Sequence, residues 1–144
     1  MIRHVAGVAE IVEDLGEALK FYRDTLGLEV KQQEGDDYAV VAVPGILHFG
    51  VWNRGHAAEC TLGSRELAHQ IPLGFTLEFE VDDVTAASDK ITGNAYKMAQ
   101  DPREEPWGQK TCRMFSPGGS VLGFAETPWA RRITKPMEMA EGDA

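Results

Sequence analysis

Val12-Glu-Asp-Leu-Gly-Glu-Ala-Leu-Lys-Phe-Tyr-Arg-Asp-Thr-Leu-Gly-Leu-Glu29 decides the fold, because Val81-Asp-Asp-Val-Thr-Ala-Ala-Ser-Asp-Lys-Ile-Thr-Gly93 repeats its opening. Each stretch follows a strand-like run and starts an amphipathic helix. Asp14 and Asp83 stand where an N-cap carboxylate accepts from free backbone N–H groups, and Glu17 completes a box-like start. Leu15, Ala18, Leu19, Phe21, Tyr22 and Leu26 form one apolar helical face, so Phe21 and Tyr22 read as core. Gly27 is placed to end the first helix in left-handed backbone, and the second is expected to end near Gly93. Repetition on this scale means two copies of one supersecondary unit, with a ligand cleft expected where they meet.

Working outward, the first copy is completed by strands over residues 5–12, 28–32, 38–43 and 46–52, the last two joined by a tight Pro44-Gly45 turn. The second is completed by strands over 75–81, 96–100, 110–115 and 121–125. Residues 101–108 read as a loop and Ser116-Pro-Gly-Gly119 as a turn. Both copies therefore have β-α-β-β-β order. The expected organisation is one α+β domain over residues 1–128 and a polar tail over 129–144. Unit one covers about 5–53, a connector with a short helix at 64–70 covers 54–73, and unit two covers about 74–127.

A net charge of −9 and a pI near 4.8 argue against a nucleic-acid partner, which needs a basic stripe. No apolar run reaches the roughly 18 residues of a spanning helix, so no membrane partner is expected. The first residues lack a long apolar signal region, which makes a cytoplasmic location the expectation. Cys60 and Cys112 have neither metal nor disulfide-framework spacing and read as reduced thiols.

The motifs Val12-Glu-Asp-Leu and Phe21-Tyr-Arg-Asp-Thr-Leu-Gly-Leu28 occur in the first copy. Val81-Asp-Asp-Val, Glu104-Glu-Pro-Trp-Gly-Gln109 and Ser116-Pro-Gly-Gly119 follow in the second. In this order and spacing the chain resembles the vicinal oxygen chelate superfamily, which includes glyoxalase I, extradiol dioxygenases and the bleomycin-resistance drug-binding proteins. The resemblance covers about residues 5–127. It implies two βαβββ units whose paired sheets wrap a cleft, and it implies a homodimer.

The resemblance also implies four inward positions at which metal-dependent members hold an ion, one on the first and one on the last strand of each unit. In this chain they fall on Gly7, Thr76 and Gly123, with the fourth near His48. Glycine has no donor atom and a neutral threonine hydroxyl is a poor one. No metal and no cofactor is therefore expected. A β-bulge could still bring His4 inward, whereas His56 and His69 read as surface. The expected function is metal-independent binding or sequestration of an antibiotic or toxic natural product. The alternative is a glyoxalase-like lyase, isomerase or dioxygenase, either metal-dependent with non-standard ligands or metal-free with Glu78 or Glu10 as base.

Strand alternation puts Gly7, Ala9 and Ile11 on the cleft face of the first strand, with Glu10 turned to the helix. A carboxylate there needs an edge position, a bulge or a partner. In unit two the same rule puts Thr76, Glu78 and Glu80 on one face and Leu77, Phe79 and Val81 on the other; the first is either a solvated strand face or, as the resemblance implies, the cleft side. Close carboxylates suit a basic ligand group. Trp107 and Trp52 are candidate walls for a planar or cationic small molecule. Thr76, Glu78, Glu80, His48 and Phe49 complete the candidate set, Phe49 being equally well explained as core. Arg113 either reaches the cleft or neutralises a glutamate of a facing strand.

Overall fold

Strand β1 (Ile2–Val12) runs antiparallel to β5 (Gly74–Val81), and this seam joins the two repeats edge to edge. The structure is a computed structural model that describes residues 1–32 and 35–129. Of the expected polar tail, residues 130–144 lie outside the described residues. In unit one, β1 leads into α1 (Leu15–Lys20), a π-helical turn (Phe21–Thr25), and strands β2 (Glu29–Lys31), β3 (Tyr38–Ala42) and β4 (Phe49–Asn53). Helix α2 (Arg54–Leu62) and a 3-10 segment (Arg65–Gln70) connect the units. Unit two repeats the order with β5, α3 (Val84–Gly93), β6 (Gln100–Glu104), β7 (Lys110–Phe115) and β8 (Val121–Glu126).

The strands form one sheet in the order β2-β3-β4-β1-β5-β8-β7-β6. The paired sheets of the α+β expectation are thus halves of one continuous sheet. In each half the last strand returns parallel to the first, β4 beside β1 and β8 beside β5.

Local chemistry sets the helix starts. Asp14 Oδ1 accepts from Glu17 N at 3.1 Å and Asp83 Oδ1 from Ala86 N at 3.0 Å. Gly27 has φ +71°, the left-handed backbone expected after the first helix. One face of the sheet is covered by helices. Leu15, Leu19 and Tyr22 pack on Ala39, Val41 and Val51, while Val84 and Ala87 pack with Val81, Met114 and Phe124. Removing a side chain such as Leu19, 3% exposed, would cost about 2–5 kcal/mol. Phe21 departs from the core reading: it is 48% exposed, because the π-helical turn widens the helix and turns Tyr22 inward in its place.

Three elements differ from the sequence reading. Helix α2 falls where only a connector was expected. It buries small residues, with Ala57, Ala58 and Cys60 packed beside Ile11 and Ile71, and so caps one end of the sheet's other face. Ile11 is therefore covered by α2 rather than lining a cleft. The strand expected over 96–100 lies instead at Gln100–Glu104, inside the expected loop. The backbone N–H groups of Asn94, Ala95 and Tyr96 bond back to Ile91 and Thr92, which absorbs those residues into the helix end. Pro102 is tolerated because β6 is an edge strand. Strand β4 starts at Phe49, so Ile46, Leu47 and His48 belong to the approach from the Pro44-Gly45 turn.

Candidate functional site

The face without α1 and α3 encloses a cavity of about 540 Å³, lined by side chains of β1, β3, β4, β5, β7 and β8 of a single chain. Because so many strands of one sheet contribute, the sheet wraps the cavity. Its position in β1 depends on a bulge. Val5 pairs with Phe79 and Gly7 with Glu78, which leaves Ala6 as an extra residue. That insertion returns His4 to the same face as Gly7, and both His4 and Gly7 line the cavity. Both ring nitrogens of His4 are buried without a hydrogen-bond partner.

The first-unit wall is aromatic. Tyr38 pairs with Trp52 across β3 and β4, and its ring lies over Gly50, where a Cβ would collide with the phenol. The Tyr38 hydroxyl and His48 Nε2 share a hydrogen bond of 2.6 Å, and the rings stack at 5.8 Å. Burial lowers the His48 pKa, which favours the neutral imidazole. Burial first, and then the nearby Glu78 charge, raises the Tyr38 pKa and keeps its proton on. Trp52 Nε1 donates to His56 Nδ1 at 2.8 Å, which brings α2 into the wall. Gly7 permits the close approach of His48, since a Cβ there would lie 3.0 Å from His48 Cδ2.

The second-unit wall is ionic. Glu78 lies on β5 between Gly7 of β1 and Gly123 of β8. A Cβ on Gly123 would come within 3.3 Å of Glu78 Cγ, so the glutamate side chain occupies the room a larger residue would take. Burial raises the Glu78 pKa, Arg113 partly offsets it, and Glu80 and Glu105 add to it. Arg113 is buried with its guanidinium 5.7 Å from the Trp52 ring centroid. Its Nη1 donates to Gln100 Oε1 at 2.5 Å and to Glu105 Oε1 at 3.0 Å. Burial pushes the Glu105 carboxyl up, but the Thr111 hydroxyl, Arg113 and Arg103 outweigh it and hold the pKa below the usual range. At the mouth stand Trp107, whose Nε1 donates to Gln109 Oε1 at 2.7 Å, and Trp129, which lies 3.8 Å from where a Gly108 Cβ would be. They are 45% and 54% exposed, large aromatic faces turned to solvent beside the cavity.

Of the candidate residues, His48, Trp52, Thr76, Glu78, Trp107 and Arg113 meet around this cavity. Phe49 does not. It points to the helix side, 5.4 Å from the Tyr22 ring, because alternation on β4 gives the cavity to Gly50 and Trp52. Glu80 shares a sheet face with Glu78 but is fully buried beyond the cavity wall, where its Oε2 accepts from Thr127 N at 2.8 Å. Glu10 faces the helix and has a partner, since the Tyr22 hydroxyl donates to its Oε1 at 2.6 Å. His69 is exposed, but His56, read as surface, lines the cavity. The sequence reading also missed Tyr38, Glu105 and Trp129. Tyr38 was findable, because alternation along β3 puts it opposite the buried Ala39 and Val41. Glu105 carried no local signal, as its role comes from Thr111 and Arg113.

The residues at the four inward positions do not fit a metal ion. Gly7 and Gly123 offer no donor, Thr76 offers a neutral hydroxyl, and His48 Nε2 is engaged with Tyr38. Among the described residues, no group of three or more His, Cys, Asp or Glu side chains is placed to hold one. Cys60 and Cys112 are buried free thiols, Cys112 with its pKa pushed up to about 11 by burial. Among the described residues no helix is long and apolar enough to cross a membrane.

A family model described as a glyoxalase-like domain matches residues 6–128. No curated protein matches the sequence. Among solved structures, a glyoxalase/bleomycin resistance protein/dioxygenase superfamily member from Vibrio splendidus is 18% identical with a TM-score of 0.56, covering 83% of this chain and 96% of that one. A Streptomyces coelicolor methylmalonyl-CoA epimerase bound to 2-nitronate-propionyl-CoA is 17% identical with a TM-score of 0.60, covering 89% and 96%. The methylmalonyl-CoA epimerase of Mycobacterium tuberculosis is 22% identical with a TM-score of 0.57, covering 91% of each chain. At these identities the likeness is one of fold.

Proposed function

Because the chain belongs to the glyoxalase-like domain family, we propose that it is a metal-independent binding protein that sequesters a small, flat organic molecule such as an antibiotic or toxic natural product. One observation carries the reading: beside Glu78 stand Gly7 and Gly123, which have no donor atom, so the glutamate offers a single carboxylate, and among the described residues no group of three or more His, Cys, Asp or Glu side chains is placed to hold an ion. The surroundings support it. A cavity of about 540 Å³ suits a drug-sized ligand, and the Tyr38, Trp52, Trp107 and Trp129 rings offer stacking surfaces worth about 0.5–1.5 kcal/mol each beyond area burial.

The test is a tryptophan-fluorescence titration with a panel of aromatic natural products, with and without a chelator. Micromolar quenching that the chelator leaves unchanged is the expected result. Absence of binding across the panel, or binding that needs an added divalent ion, overturns the proposal. The same reading carries a cytoplasmic homodimer. Ile2, Val5 and Phe75 are exposed on β1 and β5 and do not line the cavity, and they offer an apolar surface for pairing. Sedimentation of the purified protein decides it, and a monomer at micromolar concentration removes the dimer from the reading.

A further inference from the structure

We propose that the ligand is a flat organic cation whose positive charge rests on the Glu78 carboxylate while its ring system lies between the tryptophans of the mouth. The inference rests on the holding function above and names the chemistry of what is held.

The geometry is directional. Glu78 rises from the cavity floor with side-chain-free positions on both neighbouring strands, Gly7 on β1 and Gly123 on β8. No Cβ on either flank shields its carboxylate from a ligand. The nearby cation, Arg113, directs its Nη1 hydrogen bonds to Gln100 and Glu105 and lays its guanidinium against Trp52. Glu78 is therefore a carboxylate in an aromatic-walled cavity whose neighbouring arginine is engaged elsewhere. Other polar atoms at this floor also lack protein partners, namely Thr76 Oγ1 and both ring nitrogens of His4. The Thr76 hydroxyl and one nitrogen of a neutral His4 ring can each accept from a ligand's N–H group, while the other ring nitrogen is a donor.

Aromatic faces and a carboxylate select the same ligand class. A delocalised cation is attracted by ring faces as well as by the anion. An anionic ligand would meet Glu78 head-on, with Glu80 and Glu105 close enough to act on the same carboxyl. Once the cation is seated, Glu78 is held ionised, so binding releases a proton wherever the free protein carries one there.

A matched pair of probes reads the charge separately from the shape: 9-aminoacridine, a cation at about pH 8, and acridine, neutral there. Tryptophan quenching is followed with the wild type and with Glu78→Gln. We expect 9-aminoacridine to bind at least ~10-fold tighter than acridine, and the substitution to abolish that preference. The wild type gives a second readout. Its affinity for 9-aminoacridine falls more steeply with acidification than that of Glu78→Gln, through a range in which the dye keeps its charge; His4, His48 and His56 also line the cavity and gain charge in acid in both proteins, so equal slopes overturn the assignment. Equal affinity for the two dyes, or a preference that survives in Glu78→Gln, overturns the cation assignment alone. Failure of both dyes to bind the wild type counts against the holding function, and the assignment falls with it.

Discussion

The two units place different chemistry at matching positions of one repeat. Counted back from Asp14 and Asp83, Ala9 corresponds to Glu78 and Ile11 to Glu80. Ala9 leaves room and Ile11 packs under α2, whereas Glu78 lines the cavity and Glu80 is buried against Thr127 N. Around them, unit one builds a neutral aromatic wall of Tyr38, His48 and Trp52, and unit two an ionic one of Arg113, Glu105 and Gln100. A duplicated scaffold thus gives a cavity with two unlike sides, and a ligand that enters it has only one orientation that matches both.

Removing the ionic wall has the largest expected effect. Glu105→Ala leaves Arg113 buried without its carboxylate partner and should cost about 3–5 kcal/mol in urea unfolding at neutral pH. Glu105 has a lowered pKa in the folded state, so its stabilisation is present above the ordinary Glu range and lost as pH falls through the folded value. The gap between variant and wild type should therefore narrow in acid. Unchanged stability at neutral pH would show that Arg113 is held by other groups.

The aromatic wall is next. Gly50→Ala puts a methyl group into the Tyr38 phenol and should cost about 2 kcal/mol, with loss of the Tyr38–His48 hydrogen bond visible as a shifted His48 ring resonance. An unperturbed ring would show that β3 and β4 can part without cost.

Glu78→Gln should act in the opposite direction. Folding favours the protonated form of Glu78, so its contribution is complete below the ordinary Glu range and is lost as pH rises through the folded value. The glutamine variant avoids that loss. It should be more stable than the wild type at neutral pH by about 1 kcal/mol or more, with the two curves meeting in acid. The smallest effect belongs to Gly123→Ala, whose methyl group would press on the flexible Glu78 side chain and cost about 1 kcal/mol or less. A larger cost than for Gly50→Ala would reverse the view that the aromatic wall is the more rigid one.

The repeat, both capped helices and the strand parity of Thr76 and Glu78 were legible because each depends on local spacing. Helix α2 was not, since the residues it buries are Ala57, Ala58, Cys60 and Thr61, small side chains that leave no apolar stripe to read. Strand β6 was hidden because Pro102 and its charged neighbours suit a loop until the strand is known to lie at an edge. Glu105 and His56 acquire their roles from residues on other elements, Arg113 on β7 and Trp52 on β4, and no spacing along the chain reports that.

The two ends of the sheet carry a last consequence. At one end β2 spans only Glu29–Lys31, with both terminal side chains exposed and of opposite charge; at the other, β6 carries a proline that cannot donate to a neighbouring ladder. An incoming strand finds a short charged margin on one side and a missing N–H on the other. Concentrated solutions should therefore resist fibrous growth, and any association between copies is left to side-chain faces.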